Sequence, residues 1–304
     1  MSEHSGAILC LSCLSFGTNP NKTRADEHRA IIDAFKCAKQ SNSEPTAICL
    51  QDYQWNTERC LAELIDQINE AHGSVTWRAV RQWGNEDVDM TESPRDAVVL
   101  YDTSVYAEKD MERHSIGKFH DFDHLLAGMR PEIKHQLENY DGRWAGAVLQ
   151  VPSGRKFFLV SFHGRKVMNI DGEVQPIQTA VKTSMAKEFI GHVANVSVKD
   201  GSPALIAGSW NTNSEPLRAT KLEDDDWSAT VHVYPEQEAP RRSSLDAKGM
   251  PKGRVDYSVA VHPKASACTD MSVSEVHVLP LDPEIAGNFQ HMPLLIQFKL
   301  EAKE

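Results

Sequence analysis

Apolar and polar residues alternate along this chain with two distinct periods, and the periods mark its elements. Residues 7–16 form an apolar run read as a strand. Residues 23–39 read as a helix: Thr23 suits an N-cap, acids fill the first turn, and Ile31, Ile32, Phe35 and Ala38 recur at helical spacing. Residues 46–51 read as a buried strand. A second helix is predicted over 57–71, with Leu61, Leu64, Ile65 and Ile68 on one face and Gly73 just past its end. Residues 74–82 alternate as a strand, and 96–101 and 104–108 are read as a strand pair turning at Asp102-Thr103. The stretch 111–139 is charged and His-rich and reads as a surface excursion. Residues 144–151 and 156–163 are two strands joined by Pro152-Ser153-Gly154, a hairpin signal. A helix over 178–196 leads to the strand 204–207. Residues 216–226 read as an acidic loop, 229–234 as a strand and 236–252 as a mobile loop rich in Pro, Arg and Ser. The last strands are 254–261, 273–279 and 293–300.

These elements amount to roughly ten strands and three or four helices. Most neighbouring strands are joined too tightly for parallel crossovers, so the sheets must be mixed and largely antiparallel. So many strands in one unit tend to divide into two packed sheets. The predicted architecture is therefore two face-packed sheets with helices on their outer faces. No repeat or linker marks a boundary, so residues 1–304 read as a single domain.

Composition changes little in this picture. The 40% hydrophobic and 25% charged residues are ordinary for a globular protein. The net charge of −11 argues against a broad nucleic-acid surface, though not against a local basic groove. Arg155-Lys156, Arg165-Lys166 and Arg241-Arg242 are basic spots that read as solvated turns. Of the six cysteines, Cys10 and Cys13 form a C-x-x-C, but residues three apart on a strand face opposite ways and do not chelate one ion. The expectation is buried thiols in a reducing compartment. The N-terminus lacks a positive region, and no run approaches the roughly 18 apolar residues of a membrane span. A cytoplasmic or nuclear location is expected.

Five strands deliver a polar residue at an end. Gln51-Asp52 closes the second strand, His163 closes the strand after the hairpin, and Ser209 and Asn211 follow Ala204-Leu205-Ile206-Ala207-Gly208. Asp256 lies in Arg254-Val255-Asp256-Tyr257, and Gln290-His291 precedes the last strand. Convergence of Asp, His, Asn, Asp and His suits metal-assisted phosphodiester hydrolysis: a carboxylate holds magnesium, an acid paired with a His activates water, and Asn and His grip phosphate oxygens. Plainer readings exist for each residue. Asp52 also suits an N-cap for the segment beginning near Asn56. His163 suits a bond to a backbone carbonyl, Asp256 a partner that orients His291, and His291 a half-buried edge position. Trp210 reads as core. The group His114, Asp121, Asp123, His120 and His124 reads as a solvated loop, and Asp224-Asp225-Asp226 as a solvated turn.

The ordered set Ile48-Cys49-Leu50-Gln51-Asp52, Phe158-Leu159-Val160-Ser161-Phe162-His163, Gly208-Ser209-Trp210-Asn211, Arg254-Val255-Asp256-Tyr257 and Gln290-His291-Met292-Pro293 resembles the motifs of the endonuclease/exonuclease/phosphatase superfamily. That group includes deoxyribonuclease-I-like enzymes and abasic-site endonucleases. The resemblance implies a four-layer α/β/β/α sandwich, a metal ligand at Asp52, catalytic or phosphate-binding roles for His163, Asn211, Asp256 and His291, a magnesium or manganese cofactor, and a phosphodiester ligand such as nucleic acid or a small phosphate compound.

The departures from the family pattern carry the functional expectation. Asp52 stands where the family has Glu. Ser209 stands where it has the Asp credited with orienting and deprotonating water, and Gln290 stands where it has another Asp. An Asn expected near Cys13-Leu14 is missing. A lost general base costs about 10²–10⁴-fold in rate. The chain is thus expected to be a phosphodiester-hydrolase-like domain with impaired or lost catalysis and weak metal binding. The alternative is a catalytically inactive module that binds a ligand or a protein partner. Asp224, Asp225, Asp226 or Glu215 are the acids available to replace the missing carboxylate.

Overall fold

The computed structural model describes residues 3–13, 23–41, 43–53, 58–80, 96–109, 144–164, 176–235, 256–264, 269–279 and 293–302. Among them lie two mixed sheets. The first has six strands in the order β12 (Thr269–Val278), β13 (Leu294–Ala302), β1 (His4–Ser12), β2 (Ala47–Tyr53), β4 (Asp96–Asp102), β3 (Trp77–Val80). The second has seven, in the order β5 (Ala107–Lys109), β6 (Trp144–Gln150), β7 (Lys156–His163), β8 (Ala204–Ser209), β11 (Asp256–Pro263), β10 (Trp227–His232), β9 (Leu222–Glu223). Only β1–β2 and β7–β8 pair parallel among these strands. Both parallel pairs are bridged by a helix, as a crossover requires: α1 (Arg24–Gln40) in the first sheet and α3 (Pro176–Asp200) in the second.

The three longer helices form where the sequence predicts them, α3 running a few residues past its predicted ends. At the start of α1, Thr23 accepts from the Asp26 amide while the Asp26 carboxylate accepts from the Thr23 amide, a complete capping box. α2 (Glu58–His72) ends at Gly73. These two helices cover one face of the six-stranded sheet, burying Phe35, Leu61, Leu64 and Ile68 against Leu9, Ile48 and Leu50. α3 covers the outer face of the other sheet, where Phe189 stacks on Phe162 at 4.0 Å between ring centres. Between the sheets lies a third core of Ile8, Cys49, Val99, Leu159, Leu205 and Ile296. The order helix, sheet, sheet, helix is the expected four-layer sandwich.

Two expectations need correction. The strands on either side of Asp102-Thr103 do not pair: β4 belongs to the six-stranded sheet, whereas β5 pairs with β6 in the seven-stranded one. A turn in which the Asp102 carbonyl accepts from the amides of Val105 and Tyr106 carries the chain across, and the Tyr106 hydroxyl, 2.8 Å from Thr46 Oγ1, ties it back to the first sheet. The acidic loop after residue 216 is also partly structured. It contains α4 (Ser214–Arg218), capped by Asn213, and β9, because Leu217 and Leu222 are drawn into the core under α3. The stretches 111–139 and 236–252, with the His114–His124 group, lie outside the described residues, as do Cys268, Arg165-Lys166 and Arg241-Arg242. Arg155 and Lys156 serve the fold. Arg155 Nη1 donates to the Leu300 carbonyl at 2.7 Å, and Lys156 pairs with Asp200 at 2.9 Å.

Two glycines permit the closest approach in the second sheet. A Cβ at Gly208 would collide with the Phe162 carbonyl oxygen, and one at Gly164 with the Trp210 carbonyl oxygen. Both obstacles are backbone, so the ladder itself would have to move. Gly208→Ala is expected to destabilise the protein by about 3 kcal/mol in chemical denaturation. Gly191→Ala, on α3, would meet only Trp227 at 3.8 Å and is expected to stabilise by about 0.5–1 kcal/mol. Equal effects at both positions would refute this account of the close approach.

A second expectation concerns pH. His28, on the buried face of α1, sits 2.7 Å from the Tyr53 hydroxyl. Burial lowers its pKa from the usual 6.5 to about 4. The unfolded chain then gains a proton below pH 6.5 that the folded chain refuses until about pH 4, so stability falls as pH drops through that window. The loss is at most about 3 kcal/mol. Thermal melts from pH 7 to 4 should show His28→Gln losing less stability than the parent over this interval. Parallel pH profiles for the two would refute it.

Candidate active site

The site is built on one row of residues. β7 pairs His163 with Ser209 of β8, and β8 pairs Ser209 with Asp256 of β11. Directly paired residues share a sheet face, so His163, Ser209 and Asp256 point together into the space between the sheets. The sequence therefore delivers three of its strand-end polar residues to one place by register alone.

Asp52 arrives from the opposite sheet by a different device. Strict alternation along β2 would turn Asp52 outward, toward the helices. The β2–β4 pairing slips between Leu50 and Tyr53, and Asp52 adopts φ 53°. This bulge, with a left-handed residue in it, resets the phase. Tyr53 goes to the outer core and Asp52 to His163. Asp52 Oδ1 lies 2.8 Å from His163 Nδ1, and both side chains are almost wholly buried. A carboxylate can only accept, so Nδ1 carries the proton and Nε2 is left as an acceptor. Asn211 supplies the matching donor: its Nδ2 donates to Nε2 at 3.0 Å and to the Gly164 carbonyl at 2.7 Å. Asn211 also has positive φ, 52°, a conformation Asn tolerates better than most residues. Lys182 of α3 donates to the Asn211 carbonyl at 3.3 Å and steadies the turn.

The result is a hydrogen-bonded chain, Asp52–His163–Asn211. The carbonyl-bonded reading of His163 gives way to it, whereas the N-cap reading of Asp52 concerns a segment near Asn56 that lies outside the described residues. Ser209 sits beside this chain with 1% exposure, and its hydroxyl has no hydrogen-bond partner among the described residues. Asp256 is 9% exposed, and its carboxylate, after burial itself, helps push the Cys10 thiol up. Trp210 is core, stacked on Tyr257 with ring centres 4.9 Å apart and donating to the Tyr257 carbonyl. Gln290 and His291 lie outside the described residues, as does Arg254.

The loop acids do not come to Ser209. Asp224–Asp226 precede Trp227, which pairs with Pro263, whereas the site sits at the Asp256 end of the same strand. Seven residues of extended chain separate those ends, roughly 20 Å. Asp224 instead accepts from the amides of Asp226 and Trp227, a turn of its own. Glu215 is exposed and pairs with Arg218.

A hard divalent cation asks for six or more oxygens, several of them charged. Among the described residues no three His, Cys, Asp or Glu side chains are placed to share an ion, and one oxygen of Asp52 is held by His163. The described residues do not fit such a cation as they stand. Gln51 and Ser161, which the motifs contain but to which the sequence assigns no role, lie beside the site and bond to each other across the sheets. Their polarity at inward-facing positions of buried strands was the available signal.

No family model matches the sequence, and no curated protein matches it. Solved structures do. D. rerio TDP2 complexed with single strand DNA product shares 13% identity over 97% of this chain and 98% of its own, with a TM-score of 0.57. An endonuclease/exonuclease/phosphatase from Bacteroides vulgatus shares 12% over 99% and 100%, with a TM-score of 0.55. The human Nocturnin catalytic domain with bound sulfate anion shares 13% over 98% and 94%, with a TM-score of 0.53. Identities this low carry the architecture and no more. On that ground the chain has the fold of the endonuclease/exonuclease/phosphatase superfamily.

Proposed function

We propose that this chain is a phosphodiester-hydrolase-like domain whose catalysis is impaired or lost. The observation that carries the reading is the neutral, buried Ser209 in the row between His163 and Asp256. A base placed there would face both neighbours, whereas a serine hydroxyl does not take a proton from water near neutral pH. The roles assigned to the remaining residues are Asp52 as the metal ligand, Asn211 and His163 on phosphate oxygens, and Asp256 orienting His291.

The hydrogen bonding of the site supports weak turnover. Both amide hydrogens of Asn211 are engaged, one by His163 and one by the Gly164 carbonyl. A phosphate oxygen must therefore displace an internal partner before Asn211 can donate to it. Magnesium or manganese would supply charge neutralisation in such a hydrolase, and Asp52, one of whose two oxygens meets His163, is the residue that would hold it. The same closed arrangement supports the second reading, a module that binds a phosphodiester strand or a protein without cleaving it. The D. rerio protein holds a single strand DNA product, which makes an oligonucleotide the first ligand to test.

Turnover of DNA, RNA and small phosphodiesters with magnesium or manganese should be weak or absent in the parent. It should rise at least about 10²-fold in the double variant Ser209→Asp/Gln290→Asp. A parent that cleaves rapidly, and loses that activity in His163→Ala, would overturn the impaired-enzyme reading. Calorimetric titration with either metal should give a larger binding heat for the double variant than for the parent. Oligonucleotide binding without cleavage by both proteins would favour the binding module, and binding by neither would end the phosphate reading of the site.

A further inference from the structure

Directly beneath the Asp52–His163 pair, a second polar contact joins the two sheets. Gln51 precedes Asp52 on β2, and Ser161 lies two residues before His163 on β7, on the same face. The Ser161 hydroxyl donates to the Leu50 carbonyl at 2.7 Å and accepts from Gln51 Nε2 at 3.0 Å. Nε2 also donates to the Cys49 carbonyl at 3.0 Å, and the Cys10 thiol approaches Oε1 at 3.5 Å. A carbonyl can only accept, so the amide has one orientation, and its torsions are held from two sides. Gln51 is 1% exposed and Ser161 fully buried. The core below them, toward Cys49, Leu159 and Leu205, is apolar, so these bonds are made in a low-dielectric setting where losing one partner strands the other.

The location gives the contact a purpose. Leu50 is the last residue regularly paired with β4 before the β2 bulge, β1 holds the backbone of Gln51, whose carbonyl accepts from the Cys13 amide at 2.8 Å, and Asp52 is the left-handed residue within the bulge. A bulge loosens the ladder and lets the strand bend, so something other than β4 must set the height of Asp52 above the second sheet. The bonds from Ser161 to Leu50 and Gln51 flank that point and come from the strand that bears His163. We propose that Gln51 is a positioning residue: through Ser161 it ties β2 to β7 across the sandwich and so sets how Asp52 meets His163. The assignment extends the proposed function by naming what aims its carboxylate and imidazole.

The test reads His163 itself and needs no substrate, so its outcome is independent of whether the site cleaves or binds a phosphodiester. Exchange of the His163 Nδ1 proton with water is followed by nitrogen-edited NMR in the full chain. Three variants are compared with the parent: Gln51→Met, Ser161→Ala, and Leu61→Ala as a destabilising control in the outer core beneath α2. Loss of the tie should speed exchange about ten-fold in Gln51→Met and in Ser161→Ala, with parent-like exchange in Leu61→Ala. Should Gln51→Met not fold, Ser161→Ala keeps the amide in place and still removes the tie. Parent-like exchange in the folded variants, or equal acceleration in Leu61→Ala, would overturn the proposal.

Discussion

The structure depends on how closely β7 and β8 run beside each other. Their parallel pairing brings the backbone at Gly208 against the Phe162 carbonyl and the backbone at Gly164 against the Trp210 carbonyl, and neither position has room for a Cβ. That approach sets His163 level with Ser209 and brings the Asn211 side chain back over Gly164. On the outer side it stacks Phe162, Phe189, Trp210 and Tyr257 into one aromatic block under α3. The row that carries the site and the core that supports it thus share one cause.

Inside the sandwich the chemistry is arranged as a closed circuit. Asp52 accepts from His163, His163 accepts from Asn211, and Asn211 gives its second hydrogen to the Gly164 carbonyl. A site poised for turnover usually leaves donors aimed at where charge develops in the transition state. Here the donors are spent on one another, and Ser209 brings no charge to the row it occupies. Among the described residues, the two non-glycine residues with positive φ, Asp52 and Asn211, belong to this circuit. Backbone strain of that kind persists where the surroundings over-determine it, and the bonds to His163 supply the constraint from both sides.

Much of the fold could be read from local pattern. The capping residue Thr23, the apolar faces of α1 and α2, the hairpin at Pro152–Gly154 and the polar strand ends Asp52, His163, Ser209 and Asp256 are short-range signals, and each lies where the pattern puts it. Errors arose where an element's partner is distant. The segments around Asp102-Thr103 look like a hairpin because each alternates, yet their hydrogen bonds go to different sheets. The acids at 224–226 look available to Ser209 because they follow it closely in sequence, yet β10 and β11 carry them to the other end of the sheet.

Local pattern in the sequence is enough to tell which residues face a core, where α1 and α2 lie, and that Asp52, His163, Ser209, Asn211 and Asp256 stand at or just past strand ends. Those properties follow from periodicity and from capping, which act within a few residues. That Asp52 turns inward, that it meets His163, and that Gln51 and Ser161 join the sheets beneath them follow from packing between distant strands. The physical reason is that one bulge reverses the facing of a side chain. The contact it creates joins residues more than a hundred positions apart, a distance over which no local pattern carries information.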